Sequence, residues 1–588
     1  MTSGAGSPDD LTRRQFAVAL TLVLVLAAVL RGLFPAADPP WESTVGIVWH
    51  DEGAWVHNAR NKALFGTWSL DAWNPLFIAP VFTLLEYVSF ELFGVGVRQA
   101  RLVPAAFGWC SVLLVGLGVA RIAGRRAGLM AAALLATNYV YVMWNRAALM
   151  EAPMASFMVA SWYCYVRTGS SHRWAWGVAI FALLAYFTKA AAAFFVMAIG
   201  IDALIALALN RRDSPHGAVP AVARRNRQAA VATLVAMAVC GVVALAGFVA
   251  PYWDEYWFYN VQMSITRKPS YDLESVLDRV TWFPVLHDLF TRMWLTLFLG
   301  IAAATGFLIR FRDASPGERL LVLWIALGAL ELLAHDVGNE RRFVFFIPAL
   351  IALAAILLGR DGQLLPSALA RLPRSRALLA APVLAYALYV LFGSAVRIAF
   401  LYEIRPNVRI AAALALVVTG IIYLTWPRVP RALSAPWAPR AGVWLVVILC
   451  AGNIAQYVQW SLGRTYENYN ASLELGRVLP PETLVHGKLA NGLSLENTIK
   501  PVFVGREFGN YADRRTRDDV RYILTYRAPR VGYEGPVIQD VLDAYPNRTI
   551  IMTFDVAETA TGRDRAALID KFGGAGSTNG QTTGRARH

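Results

Sequence analysis

Apolar runs of roughly twenty residues recur along this chain from Phe16 to Trp460, separated by short segments rich in Arg. A helix of that length crosses about 30 Å of hydrocarbon. The runs lie at 16–34, 100–120, 127–145, 151–167, 173–187, 190–209, 228–250, 288–309, 318–336, 343–359, 377–398, 409–426 and 440–460, which predicts about thirteen spans. A further apolar stretch, 76–94, carries Glu86 and Glu91 among many aromatics and fits an amphipathic helix lying along the interface. The loop charges decide between these readings. With the N-terminus inside and 76–94 not crossing, the clusters at Arg121/Arg125/Arg126, Arg211/Arg212/Arg224/Arg225/Arg227, Arg310/Arg312/Arg319, Arg360/Arg371/Arg374/Arg376 and Arg428/Arg431/Arg440 all become cytoplasmic, as the positive-inside rule requires. If 76–94 crossed, the later loops would invert. The outer face then receives the 35–99 loop, the junction from Arg146 to Glu151, the turn at Lys189, the 251–287 loop, the turn before Phe343, the 399–408 loop and everything after Trp460.

Beyond Trp460 the pattern changes. "TLVHG", "PVFVG", "VRYILTY" and "TIIMTFDV" have strand character, whereas "YNASLELGRVL", "PVIQDVLDAY" and "RDRAALIDKF" have helical spacing. The fold class expected is an all-α polytopic membrane protein with a small C-terminal extracytoplasmic α/β domain. Residues 1–460 form the membrane module, 461–574 the α/β domain and 575–588 a low-complexity tail expected to be disordered.

Composition agrees. The 588 residues are 57% hydrophobic and 16% charged, whereas soluble domains carry roughly 25% charged residues. The net charge of +15 resides mostly in the short loops, where it sets orientation in the bilayer, so nucleic acid is not an expected partner. Cys110, Cys164, Cys240 and Cys450 lie inside apolar runs at irregular spacing, which indicates neither disulfides nor a zinc site. The apolar run after Arg13-Arg14 exceeds a signal-peptide core and no small-residue cleavage site closes it, so it reads as a retained first span.

Charged side chains near the ends of spans are the candidates for chemistry, because they are costly there. Asp51 and Glu52 stand in "WHDEGAW" in the first outer loop, Arg146 and Glu151 in "NRAALMEAP", Lys189 in "YFTKAAAA", and Arg341 and Arg342 in "NERRFVFF". In the thirteen-span topology all reach one outer interfacial layer, which combines carboxylates able to act as a base with cations able to hold a phosphate. The plainer alternatives are snorkelling anchors for single cations, a helix-starting carboxylate for Glu151 and a solvated pair for Asp51-Glu52. Asp254-Glu255 in "PYWDEYWFY" is a second acidic pair, set in what reads as an aromatic belt.

The run from "HDEGAWVHNARNKALFGTW" through "NRAALMEAPMASF" and "LLAYFTKAAAAFFV" to "ERRFVFFIPAL", over about the first 360 residues, resembles the GT-C membrane glycosyltransferases. It is most similar to the branch holding the protein O-mannosyltransferases and the lipid A aminoarabinose transferase. The resemblance implies a polyprenyl-phosphate-linked sugar donor, Asp51 as catalytic base, phosphate contacts for Lys189 and Arg342, and a second acidic site residue at Glu151. Family members commonly have Asp at the position of Glu151, Tyr at that of Phe343, and Gly or Pro at that of Ala190. The β-trefoil module of the eukaryotic mannosyltransferases has no counterpart in this sequence.

The expected function is inverting transfer of a sugar from a polyprenyl-phosphate donor in the membrane lipid to a protein, lipid or glycan acceptor. Catalytic roles fall to Asp51, Glu52 and Glu151, and substrate binding to Arg146, Lys189, Arg341 and Arg342. No cofactor is required by these residues, since cations can neutralise the leaving phosphate; a divalent metal between Asp51 and Glu151 is possible chemically but not indicated. The expected location is the plasma (inner) membrane, with the site extracytoplasmic. A transporter or flippase, and a lipid-linked glycan ligase or polymerase, are the rival readings. Against the first, the charges gather at one side rather than the midplane, and no paired interrupted repeat is evident.

Overall fold

The computed structural model of the chain describes residues 11–40, 49–209, 221–263, 271–286, 292–311, 314–335, 340–359, 374–399, 408–425, 438–504, 510, 512–527, 535–559 and 562–573. Of the expected features, the loop cations Arg211, Arg212, Arg312, Arg360, Arg371, Arg428 and Arg431 and the tail 575–588 lie outside the described residues.

Where the expected spans fall on described residues they are helical, although 127–145 is divided at Asn138 into two helices. The first half holds α1 (Arg13–Gly32), α2 (Trp49–Phe65), α3 (Pro80–Phe93), α4 (Val97–Ala123), α5 (Arg125–Thr137), α6 (Tyr139–Trp144), α7 (Glu151–Thr168), α8 (Trp174–Thr188), α9 (Ala193–Leu209) and α10 (Ala221–Ala244). The second half of the membrane module holds α11 (Trp253–Trp257), α12 (Leu273–Leu286), α13 (Trp294–Ile309), α14 (Pro316–His335), α15 (Ile347–Gly359), α16 (Arg374–Ala399), α17 (Val408–Leu424) and α18 (Ala438–Leu462). Among the described residues six segments are individually long and apolar enough to cross a membrane, and α8, α13 and α17 are shorter apolar helices.

Among the described residues of the membrane module, three helices stand where the sequence reading placed only loop, α11 (Trp253–Trp257) being one of the two in the 251–287 loop. α2 begins at Trp49, so "HDEG" forms its first turn, and α12 lies within the 251–287 loop. The 14 residues of α3 rise only about 21 Å, too little to cross the hydrocarbon. Its Leu84, Val88 and Leu92 are exposed along one face, while Phe82, Glu86 and Phe90 are buried along the other.

α15 is the hub of the bundle. From Ile347 to Leu357 every residue is buried, packed with α4, α5, α13 and α14 in the main apolar core. Asp202 of α9 and Arg319 of α14 meet within this bundle as a buried pair 2.7 Å apart, and Tyr165 donates to the same carboxylate. Arg319 is thus not the loop cation that the charge pattern suggested.

The C-terminal part comprises α19 (Glu467–Val478), β1 (Leu484–His486), α20 (Lys488–Gly492), β2 (Lys500–Val502), β3 (Tyr522–Tyr526), α21 (Gly535–Asp543), β4 (Thr549–Thr559) and β5 (Gly562–Asp570). Its sheet runs in the order β2-β1-β3-β5-β4, with β1 parallel to β2 and β3, and β5 antiparallel to both neighbours. "RDRAALIDKF", read as helical from its spacing, is β5. Ala566, Ala567, Leu568 and Ile569 are all buried because the two faces of β5 pack into separate cores, Ala566 and Leu568 into one and Ala567 and Ile569 against α21 in the other. A continuous apolar run in a strand covered on both faces carries no period that separates it from a helix.

Candidate active site

The first turn of α2 presents Asp51 and Glu52 at an N-terminus where the helix dipole favours carboxylates. Adjacent residues on a helix point about 100° apart, so the two carboxylates enter different surroundings. Asp51 Oδ2 lies 3.0 Å from Arg341 Nη1, and its Oδ1 is 3.6 Å from His50 Nε2. Glu52 instead binds Arg101 of α4 through two parallel contacts, 2.8 Å and 2.7 Å, and accepts from the backbone N–H of Ala148 at 2.7 Å. Glu52 thereby ties α2 to α4 and to the turn before α7.

Glu151 opens α7, fully buried, and accepts from Lys189 Nζ at 2.5 Å. Lys189 sits between α8 and the tight turn Ala190–Ala192, where the chain breaks from one helix to the next. Arg341 belongs to the 3-10 segment Glu340–Phe346 that leads into α15, and its Nε is 3.5 Å from Glu151 Oε1. Asp51, Glu151, Lys189 and Arg341 therefore form one cluster, with Arg341 bridging the two carboxylates. Arg342 is close enough to act on Lys189 electrostatically. Burial pushes the Lys189 ammonium down to about 8; Glu151 opposes this, and Arg341 and Arg342 reinforce it. Among the described residues, no group of three or more His, Cys, Asp or Glu side chains is gathered as metal ligands.

Arg146 does not join this cluster. Its guanidinium donates to the carbonyls of Leu30, Arg31 and Phe34 at the end of α1 and lies 4.6 Å from the Trp460 ring. Asp254 and Glu255 are exposed on α11, next to the stacked pair Trp253–Trp257.

The sheet domain is seated against the site. α20 passes α2 so closely that a Cβ on Gly53 would lie 1.8 Å from the Asn491 carbonyl oxygen. Trp49 contributes to the core of the sheet domain. Three carbonyls of that domain, on Ser494, Asn497 and Ile499, accept from the buried Arg60 guanidinium, and Asn491 lies 2.9 Å from His57 Nδ1. Asp71 completes the join, with Oδ1 3.3 Å from His57 Nε2 and Oδ2 accepting from the Phe503 N–H.

Sequence reading missed Arg101, Arg60, His57 and Asp71. Arg101 carried a signal, because a cation just inside an apolar span demands a partner. The others stand in a polar stretch that the sequence reads as loop, where nothing in the pattern marks burial.

Comparisons with known proteins follow this geometry. Residues 78–224 match the model of the dolichyl-phosphate-mannose-protein mannosyltransferase family. No curated protein matches the chain. The crystal structure of ArnT from Cupriavidus metallidurans bound to undecaprenyl phosphate superposes with a TM-score of 0.51 at 16% identity, covering 94% of this chain and 97% of ArnT. An oligosaccharyltransferase from Archaeoglobus fulgidus is a looser likeness, with a TM-score of 0.44 at 12% identity over 88% of this chain and 69% of that one. The helical bundle, its terminal sheet and the extent of the match with ArnT assign this chain the fold of the GT-C membrane glycosyltransferases.

Proposed function

We propose that this protein is an inverting glycosyltransferase that moves a sugar from a polyprenyl-phosphate donor to an acceptor at the extracytoplasmic face of the plasma (inner) membrane, the face carrying the sheet domain. The observation that carries the reading is the cluster of Asp51, Glu151, Lys189 and Arg341, which joins a candidate base to phosphate-binding cations on four separate elements. ArnT, which shares the fold, has been seen with undecaprenyl phosphate bound.

Arg341 gives the cluster a working logic. Its guanidinium is held by Asp51 and Glu151. A donor phosphate entering beside Lys189 competes for it, and Asp51 is released as a proton acceptor. The acceptor hydroxyl or amine then attacks the anomeric carbon while its proton passes to Asp51 and the bond from that carbon to the phosphate oxygen breaks. The departing polyprenyl phosphate gains charge as it leaves, so Lys189, Arg341 and Arg342 stabilise the transition state more than the ground state. Glu151 holds Lys189 and Arg341 in place. Displacement from the face opposite the phosphate inverts the anomeric centre.

The test is single-turnover transfer by the purified full chain from defined polyprenyl-phosphate monosaccharides, combined with mass analysis of envelope glycans from cells with and without the gene. Sugar released onto an acceptor, with free polyprenyl phosphate as co-product, is the expected result. Movement of intact donor across the bilayer without bond cleavage would replace the reading with a flippase.

A further inference from the structure

A second group of cations lies behind the active-site helix, on the far side of Glu52. Arg31 at the end of α1, Arg98 and Arg101 at the start of α4, and Arg146 line a cavity of about 340 Å³. Phe93 and Leu102 complete its wall and are themselves well exposed, at 58% and 46%.

Of the four guanidiniums only Arg101 has a carboxylate partner, Glu52. Arg31 donates to the Asn145 side chain and to the carbonyls of Ala27, Leu135 and Ala136, and Arg146 donates to carbonyls at the end of α1. Arg98 lies 5.9 Å from the Tyr469 ring and is exposed to the cavity mouth. Among the described residues none of Arg31, Arg98 and Arg146 forms an ion pair with a carboxylate, although Glu496 acts on Arg98 electrostatically from farther away. Arg98 is exposed, and Asp38 acts likewise on Arg101, so the buried cations held by neutral groups alone are Arg31 and Arg146. Two buried cations without a carboxylate partner are expensive unless an anion shares the space.

We propose that this cavity is a second anion site, separate from the Lys189–Arg341 cluster, that takes a phosphate group, carried by an anionic membrane lipid or free in solution. Planar guanidiniums match phosphate oxygens in pairs. The apolar wall of Phe93 and Leu102 suits the glycerol and first acyl carbons of a lipid entering from the leaflet on the sheet-bearing side. The site stands independently of the transfer reaction, although Glu52, through Arg101, places it one residue from Asp51.

The experiment uses the full chain in nanodiscs of phosphatidylcholine doped with phosphatidylglycerol, with retained lipids counted by native mass spectrometry. A parallel arm titrates inorganic phosphate into protein held in zwitterionic detergent. Arg98→Gln removes the exposed cation without cutting any protein hydrogen bond, and Lys189→Met is the control at the other site. A preference for phosphatidylglycerol that falls about tenfold in Arg98→Gln and is unchanged in Lys189→Met supports the proposal with lipid as the source. Inorganic phosphate binding with the same dependence, without lipid preference, supports it with free phosphate as the source. Binding indifferent to Arg98→Gln, or lost only in Lys189→Met, overturns it.

Discussion

Asp51 and Arg341 are 290 positions apart in the chain and 3.0 Å apart in space, Oδ2 to Nη1. One lies in the first turn of α2 and the other leads into α15, whose residues from Ile347 to Leu357 are all buried. The pair fixes the candidate base to the structural centre of the protein and makes its availability depend on what else Arg341 binds.

Asp51→Asn keeps the shape of the side chain and removes its proton affinity. A general base contributes roughly 10² to 10⁴ in rate, so kcat should fall by about that factor while the fold and donor binding persist. Asp254→Asn, at an exposed position on α11, should be nearly silent. Single-turnover transfer measures both, and near-normal turnover in Asp51→Asn would remove it from the role of base.

Lys189 supplies a pH dependence. Burial lowers its pKa to about 8, and in the proposed mechanism its protonated form is the one that attracts the donor phosphate. Because kcat/KM reports the free enzyme, it should decline as pH rises through about 8, with the loss of one proton. Lys189→Arg keeps the charge over the whole range, so the alkaline limb should disappear even if the maximum rate is lower. A limb unchanged in Lys189→Arg would assign it to another group.

The sequence revealed the helices well, because apolar runs of membrane length need no partner to be recognised. It also identified Asp51, Glu151, Lys189 and Arg341, each marked by charge beside apolar surroundings, and the structure brings them together. It did not reveal which way each points. The base falls to Asp51 of the "HDEG" pair, but nothing in the sequence names Arg101 as the partner toward which one helical step turns Glu52, and Arg146 is indistinguishable from Arg341 until the end of α1 is in place. The strand β5 was hidden for the converse reason, since burial on both faces erased its alternation.

The Glu52–Arg101 pair is predicted to act on stability. Both side chains are buried and doubly hydrogen-bonded, so Arg101→Met leaves the Glu52 carboxylate without its cation and should cost about 3–5 kcal/mol. Combining it with Glu52→Gln should cost less than the sum of the single changes, because no unpaired charge remains. Unfolding of the detergent-solubilised protein followed by denaturant titration gives the comparison.

Topology is open to chemical labelling in a background lacking the four cysteines. Ser170, exposed beyond the end of α7, and Arg477, exposed on α19, should occupy opposite sides of the membrane. In intact cells an impermeant thiol reagent applied outside should modify Arg477→Cys and spare Ser170→Cys. The reverse pattern would place the sheet domain, and the proposed transfer, in the cytoplasm.

Gly53 tests whether the sheet domain merely covers the site or holds it in shape. Glycine is needed there for space, since it lies within a helix and the obstacle to a side chain is the backbone of α20, with the Asn491 carbonyl oxygen 1.8 Å and the Gly492 nitrogen 2.8 Å from where a Cβ would stand. Gly53→Ala must push α20 away from α2. Its first effect should fall on the hydrogen bonds that cross this join, from Arg60 to the Ser494, Asn497 and Ile499 carbonyls. Amide exchange should therefore rise across 488–502 while the helices of the bundle remain protected. If the domain positions α2, Asp51 also shifts relative to Arg341, and a misplacement near 1 Å can cost about 10² in rate. Faster exchange at 488–502 with kcat unchanged would make the domain a cover; faster exchange accompanied by a fall in kcat of that order would make it part of the catalytic framework.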